Sequence, residues 1–229
     1  MNVVLPNPAL CLVTDRRVCP PDELPDRVAA AVAGGVDIVQ LRDKEESGGA
    51  LLELAAALRE ITRGSAILLV NERADVAAAC KADGVQLGEA AMPTVSVRPI
   101  LPAGSIIGRS VHSVVGATQA EASDADFLLV GTMFATRSHP GEEPSGPGLL
   151  ERIRAAGVQT PLLAIGGITA GNVGQVIRAG ADGAAVISAI LASPDPAVAA
   201  SQIKSAMLGA GASGTDIHRP GSHYTTSRR

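Results

Sequence analysis

The stretch LLAIGGITAGNVGQVIRAGADGAAVISAI, residues 162–190, holds a complete strand, turn, helix, strand unit. The apolar run Leu162, Leu163, Ala164, Ile165 is broken by Gly166 and Gly167, and Thr169 stands where a helix N-cap belongs. Val173, Val176, Ile177 and Ala179 then recur at helical spacing, and Gly180 supplies a C-terminal stop. Ala184 opens a second apolar run. Two apolar strands joined by a helix pair in parallel through a right-handed crossover, so their C-terminal ends point the same way. The loops Gly166-Gly167 and Ser188-Ala189 are therefore expected side by side, and their bare backbone N–H groups suit a phosphate.

The junction that starts the last strand recurs along the chain. Gly35-Val36-Asp37, Ala82-Asp83-Gly84, Ala125-Asp126-Phe127 and Ala181-Asp182-Gly183 each close a helix with a small residue and an aspartate, then open a strand. Strands are expected at 10–15, 36–42, 66–71, 84–88, 105–111, 126–133, 161–166 and 184–189. Helices are expected between them at 23–33, 48–63, 73–80, 94–101, 114–122, 147–156, 171–179 and 196–208; Leu51, Leu54, Ala55, Leu58 and Ile61 illustrate the apolar face. Eight alternating units within about 200 residues predict a single-domain α/β fold of the (β/α)8 type, the TIM barrel, over 1–208. Residues 209–229 lack apolar periodicity, are rich in Gly, Ser and Thr, and read as a disordered C-terminal tail.

Composition narrows the function. Of 229 residues, 46% are hydrophobic and 1% aromatic, and the net charge is −4 with no basic cluster, which excludes aromatic stacking on bases and argues against nucleic acid as a partner. Three cysteines, Cys11, Cys19 and Cys80, without C-x-x-C spacing, point away from a disulfide framework or zinc and toward a reducing cytoplasm. The apolar runs are too short to span a bilayer, and no signal peptide precedes the first strand. An apolar outer helix around 29–32 is compatible with a homo-oligomer.

In such a barrel the active site lies at the C-terminal strand ends. The four aspartates precede their strands, so they belong to the opposite, stability face and are not metal ligands. Strand 2 ends in Gln40, Arg42 and Lys44, whose alternation sets two cations on one side, toward an anionic substrate. Strand 3 ends in Asn71-Glu72, which either holds a hard cation or positions a substrate, or is an ordinary helix-opening turn. Strand 4 delivers Gln86, Gly88 and Glu89. Strand 5 delivers Ser110 and His112 on one face, and His112 reads as a general acid/base. The long loop 134–147 offers Thr136, Arg137, Ser138 and His139 as donors to an anion, on a glycine- and proline-shaped flap.

The motifs QLRDK, GRSVHS, AIGGIT and AGADGAAVISAI, taken in order, resemble the thiamine-phosphate synthase and thiazole tautomerase family over roughly residues 10–207. In the synthases, a pyrimidine diphosphate ionises with magnesium on its pyrophosphate, and the nitrogen of a thiazole phosphate captures the cation. The resemblance implies that Gln40, Arg42, Lys44 and Asn71 contact the pyrimidine and pyrophosphate. It implies that Ser110, Thr136 and Ser138 line the site and that Gly167, Ile187 and Ser188, beside Gly166, hold the thiazole phosphate. Four positions depart from the synthase pattern. Glu72 replaces an aspartate, Ala91 a second magnesium carboxylate, His139 the lysine that closes the loop, and Ala135 a proline. Each missing charged contact is worth on the order of 1.5–3 kcal/mol. The tautomerase branch resembles the chain at these departures, also carrying Gln in place of the His after strand 4, here Gln86, and a GRSVHS strand end; it needs a phosphate site and an acid/base but no metal. The expectation is therefore a thiazole tautomerase, with His112 as acid/base and no cofactor. A magnesium-dependent synthase using Glu72, and Glu89 as a substitute ligand, is the alternative. A non-catalytic phosphate-binding barrel is the third reading.

Overall fold

The computed structural model describes residues 4–136 and 143–212. Its strands are β1 Ala9–Val13, β2 Ile38–Leu41, β3 Ile67–Asn71, β4 Gly84–Leu87, β5 Ile106–Val111, β6 Phe127–Val130, β7 Leu162–Ile165 and β8 Gly183–Val186. All pair in parallel with their sequence neighbours, and β1 closes the barrel on β8, with Ala9 opposite Gly183 and Leu12 opposite Val186. The helices are α1 Leu24–Ala33, α2 Gly48–Thr62, α3 Ala74–Ala79, α4 Thr94–Val97, α5 Val114–Ala122, α6 Gly148–Ala155, α7 Val173–Arg178, α8 Ser188–Leu191 and α9 Pro196–Ala212. The expected (β/α)8 barrel is the fold.

Period-two alternation divides each strand between two cores. Leu10, Leu12, Val39, Leu41, Leu68, Val70, Leu128 and Val130 pack outward against the helices. Cys11, Val13, Ile38, Leu69, Phe127, Leu129 and Leu163 fill the barrel itself. Continued toward the C-terminal strand ends, the inward set becomes polar: Gln40, Asn71, Gln86 and Ser110 follow Ile38, Leu69, Gly84 and Gly108. One parity rule thus supplies both the apolar plug and the floor of the mouth.

At the N-terminal end the four aspartates hold the barrel in register. Leu10 N donates to Asp37 Oδ2 at 2.7 Å, while Asp37 N donates to Leu10 O at 2.9 Å. The same reciprocal pair joins Leu68 to Asp83, Ile107 to Asp126 and Leu162 to Asp182. Each carboxylate also meets a cation from the helix before the odd strand: Lys204 on Asp37 at 2.6 Å, Arg59 on Asp83 at 2.7 Å, Arg98 on Asp126 at 2.8 Å, and Arg154 on Asp182.

Several details differ from the expectation. Helix α4 gives way after Val97 to a 3-10 turn, Arg98–Ile100, because Pro99 has no N–H to continue the α-helical ladder. Thr169 does not cap α7. Its N–H donates to Asn172 Oδ1 at 2.8 Å and its carbonyl accepts from Asn172 N and Val173 N, so residues 169–172 form a turn and the helix starts at Val173. The short helix α8 was not expected. Helix α9 runs to Ala212, four residues past 208, with Ala210 buried; the rest of the proposed tail lies outside the described residues. No helix among the described residues is long and apolar enough to cross a membrane. The three cysteines are buried and free, and burial pushes the Cys11 thiol far above its ordinary range.

Removing one clamp tests its weight. Asp126→Ala leaves Arg98 and the Ile107 N–H without their shared acceptor and is expected to lower the free energy of unfolding by about 2–4 kcal/mol. Glu60→Ala, which breaks the exposed pair with Arg63, is expected to cost less than about 0.5 kcal/mol. Denaturant titrations of both variants check the contrast, and equal losses would contradict it.

Candidate active site

A cavity of about 370 Å³ opens at the C-terminal strand ends, within the range of small-molecule sites. Its wall includes Gln40, Arg42, Lys44, Asn71, Glu72, Ser110, His112, Thr136, Gly166, Gly167, Ile187 and Ser188, so these expected residues converge on one space. Ser138 and His139 lie outside the described residues.

The floor is a buried polar layer. Gln40, 3% exposed, donates from Nε2 to Asn71 Oδ1 at 3.0 Å across the β2–β3 pair. Gln86 donates from Nε2 to Ser110 Oγ at 3.1 Å across β4–β5. Above this floor the cationic side is built by the ends of β1 and β2. Arg42 is held through its backbone, its N–H donating to Thr14 Oγ1 at 2.8 Å, with its guanidinium 3.9 Å from Asp15 Oδ2. Lys44 is exposed and makes no ion pair among the described residues. The two loops are laced together by Arg16 with Asp43 and Glu46 and by Arg17 with Glu45. Asp15 and Asp43, absent from the sequence-based site, line the cavity as well. Continuing the inward parity of Cys11 and Val13 by one step finds Asp15, whereas nothing in the spacing marks Asp43.

The acidic side is built by β3, β4 and β5. Glu72 adopts φ +57°, and its Oε1 accepts from Gly88 N at 3.3 Å. A Cβ at residue 88 would sit 2.6 Å from that oxygen, so glycine is what lets the carboxylate lie over the β4 end. Next to it, Glu89 Oε2 stands 2.7 Å from His112 Nδ1, with both side chains about half exposed. Ala91 packs against the core between barrel and helices and is not part of the wall. Among the described residues no three His, Cys, Asp or Glu side chains are grouped to hold a metal unaided.

The side opposite Glu72 is made of backbone. Gly166 and Gly167 have φ +107° and +63°, and a Cβ on Gly167 would meet Ala135 O at 2.5 Å. Asn172 Nδ2 donates to Gly167 O at 2.9 Å and fixes the turn. Ser188 and Ala189 open α8 directly beside it, at the end of the neighbouring strand. The arrangement gathers N–H groups at one end of the mouth, cations at another and two carboxylates between strands 3 and 5.

The family model described as thiamine monophosphate synthase matches residues 10–190. The thiamine-phosphate synthase of Methanoculleus marisnigri is 46% identical over 210 residues, covering 90% of this chain and 98% of the relative. That of Roseiflexus castenholzii is 44% identical over 190 residues, 82% of this chain and 83% of its own. A solved thiamine phosphate pyrophosphorylase from Pyrococcus furiosus superposes with a TM-score of 0.79 at 36% identity, covering 88% of this chain and 96% of that one. These relatives carry the synthase name, so the expectation of the tautomerase branch is corrected in favour of its alternative: substitutions at single strand ends weigh less than identity spread over the whole barrel. The chain belongs to the thiamine monophosphate synthase family of enzymes.

Proposed function

We propose that this chain is a thiamine-phosphate synthase, joining hydroxymethylpyrimidine diphosphate to thiazole phosphate with release of pyrophosphate. The observation that carries the reading is the 46% identity with a synthase along 98% of that protein's length. The cavity supports it, because the two anionic substrates need two separate anion sites and the mouth offers two of different kinds.

On one side, Gly166, Gly167, Ile187 and Ser188 are assigned to the thiazole phosphate, which backbone N–H groups at a helix start bind without a counter-cation. On the other, Arg42 and Lys44 are assigned to the diphosphate, where fixed cations offset the charge that builds up as the C–O bond breaks. Gln40 and Asn71, tied to each other, present a rigid amide edge to the pyrimidine. Ser110 and Thr136 complete the wall. Holding both substrates in one cavity makes the capture of the pyrimidine cation by the thiazole nitrogen faster than capture by water.

The donor set supports a magnesium ion. Magnesium takes one or two protein carboxylates and completes its shell with water and substrate oxygens, so an incomplete protein site is what it uses. Glu72 is assigned as one ligand and Glu89 as the second, in place of the family carboxylate that Ala91 lacks. When bound, the ion neutralises the leaving pyrophosphate. In this reaction His112 has no proton to move; its hydrogen bond at Nδ1 holds the Glu89 carboxylate at the mouth.

Incubated with pyrimidine diphosphate, thiazole phosphate and magnesium, the protein is expected to form thiamine phosphate and pyrophosphate in equal amounts, and chelation by EDTA is expected to abolish both. Aromatisation of carboxythiazole phosphate without coupling would overturn the assignment. Arg42→Ala is expected to lower kcat/KM for the diphosphate by about 10²-fold or more. Gly167→Ala, which combines a positive φ with a blocked Cβ, is expected to raise KM for the thiazole phosphate more than KM for the diphosphate; equal effects on the two substrates would move the thiazole phosphate elsewhere.

A further inference from the structure

Below the mouth, on the inward face of β4, lies Gln86, 1% exposed. Its amide nitrogen donates to two oxygens, the Leu87 carbonyl at 3.2 Å and the Ser110 hydroxyl at 3.1 Å. Its amide oxygen has no hydrogen-bond partner among the described residues. A carbonyl oxygen only accepts, so Leu87 dictates which end of the amide faces it; turned by half a revolution, the amide would set two acceptors against each other. The same NH2 group therefore faces Ser110, and Ser110 Oγ is the acceptor in that bond. A serine hydroxyl has one proton, and among the described residues no protein acceptor takes it. Ser110 lines the cavity, so the proton is left for whatever binds there.

The placement is built into the barrel. At Gly108, the β5 residue opposite Gln86, a Cβ would lie 2.1 Å from Gln86 Oε1 and 2.1 Å from Phe127 Cζ, so the glycine makes room for the amide beside the aromatic ring. Leaving a buried acceptor unpaired costs stability, and an apolar side chain of similar length would avoid that cost. A rule broken at such a position points to a task at the site above it.

We propose that Gln86 is a positioning residue that orients the Ser110 hydroxyl with its proton toward the barrel mouth, favouring a hydrogen-bond acceptor as the substrate group that rests on Ser110. With one lone pair of Ser110 Oγ taken by Gln86, the hydroxyl proton is the group turned to the substrate, and a substrate acceptor there is favoured over a donor. The inference rests on the coupling reaction as the activity of the chain.

A double-mutant cycle on the full chain tests it, with Gln86→Met, Ser110→Ala and the pair, read as kcat/KM for coupling and as the Kd of the pyrimidine diphosphate measured without thiazole phosphate. With Ser110 present, Gln86→Met is expected to lower kcat/KM by about tenfold. In the Ser110→Ala background, the same change is expected to cost less than about twofold, because there is no hydroxyl left to orient. Gln86→Leu, run in parallel, guards against a methionine variant that does not fold, an unchanged melting transition identifying a folded enzyme. Equal losses in both backgrounds, or no loss with Ser110 present, would overturn the positioning role while leaving the coupling reaction intact. A wild-type chain that neither couples the substrates nor binds the diphosphate would overturn both.

Discussion

A carboxylate that accepts the N–H of one strand, while its own N–H is donated back to that strand and a helix cation rests on its other side, recurs four times around the base of the barrel. Parallel strands gain little specificity from their own ladder, since every residue offers the same N–H and C=O, and sliding by one residue exchanges the inner and outer faces. The reciprocal bond between Asp83 and Leu68 does not survive such a slip, because the carboxylate and the backbone N–H of one residue must reach the same partner. The backbone carbonyls of Asp37, Asp83 and Asp182 also accept from a third strand, from Ile67 N, Ile106 N and Ala9 N. Register is thereby set at one end, and the parity rule transmits it to the other.

That transmission sets where the strand ends that build the mouth begin. The ion pairs at the base are largely shielded, with side-chain exposures of 12–30%, and their cations satisfy further loop carbonyls, as Arg154 does with Gly180, Val158 and Thr160. At the mouth the pairs are mixed: Arg17 and Glu45 are 79% and 57% exposed and such a pair contributes little to stability, whereas Arg16, Asp43 and Glu46 are as shielded as the charges at the base. With the base held by shielded, multiply bonded charges, the mouth can carry a solvated cation such as the exposed Lys44.

Much of this was legible in the sequence for the same reason that it folds. The repeat of a small residue and an aspartate before every second strand marks the base, and the alternation through Gln40 and Arg42 or through Ser110 and His112 marks the mouth. The partners of the aspartates were not legible: Arg59, Arg98 and Arg154 lie 24, 28 and 28 residues from them and carry no local signature, and Lys204 lies 167 residues away, across the barrel closure. The turn at 169–172 was misread because Thr169 is an acceptable N-cap by type, and only the side chain of Asn172, bonded both to Thr169 and to Gly167, delays the helix. The choice of reaction was misread for a different reason. Departures from the synthase pattern at Glu72, Ala91 and His139 mark single positions, and a neighbouring side chain can supply the same atoms from a different one.

The carboxylates at the mouth show such a replacement. Loss of a carboxylate at residue 91 removes charge from one place on the loop after β4, and Glu89, two residues earlier, returns it at the strand end itself. An aspartate there would be one methylene shorter; the glutamate reaches far enough to meet His112 across the β4–β5 gap at 2.7 Å. Glu72 is longer by the same methylene than the aspartate usual at its position, and it spends that length lying over Gly88. Both glutamates thus set their carboxylates at the rim between β3 and β5, one over Gly88 and one against His112. A hard cation such as the magnesium ion proposed above needs only one or two protein oxygens, so carboxylate oxygen at that rim would serve it whichever residue number supplies it.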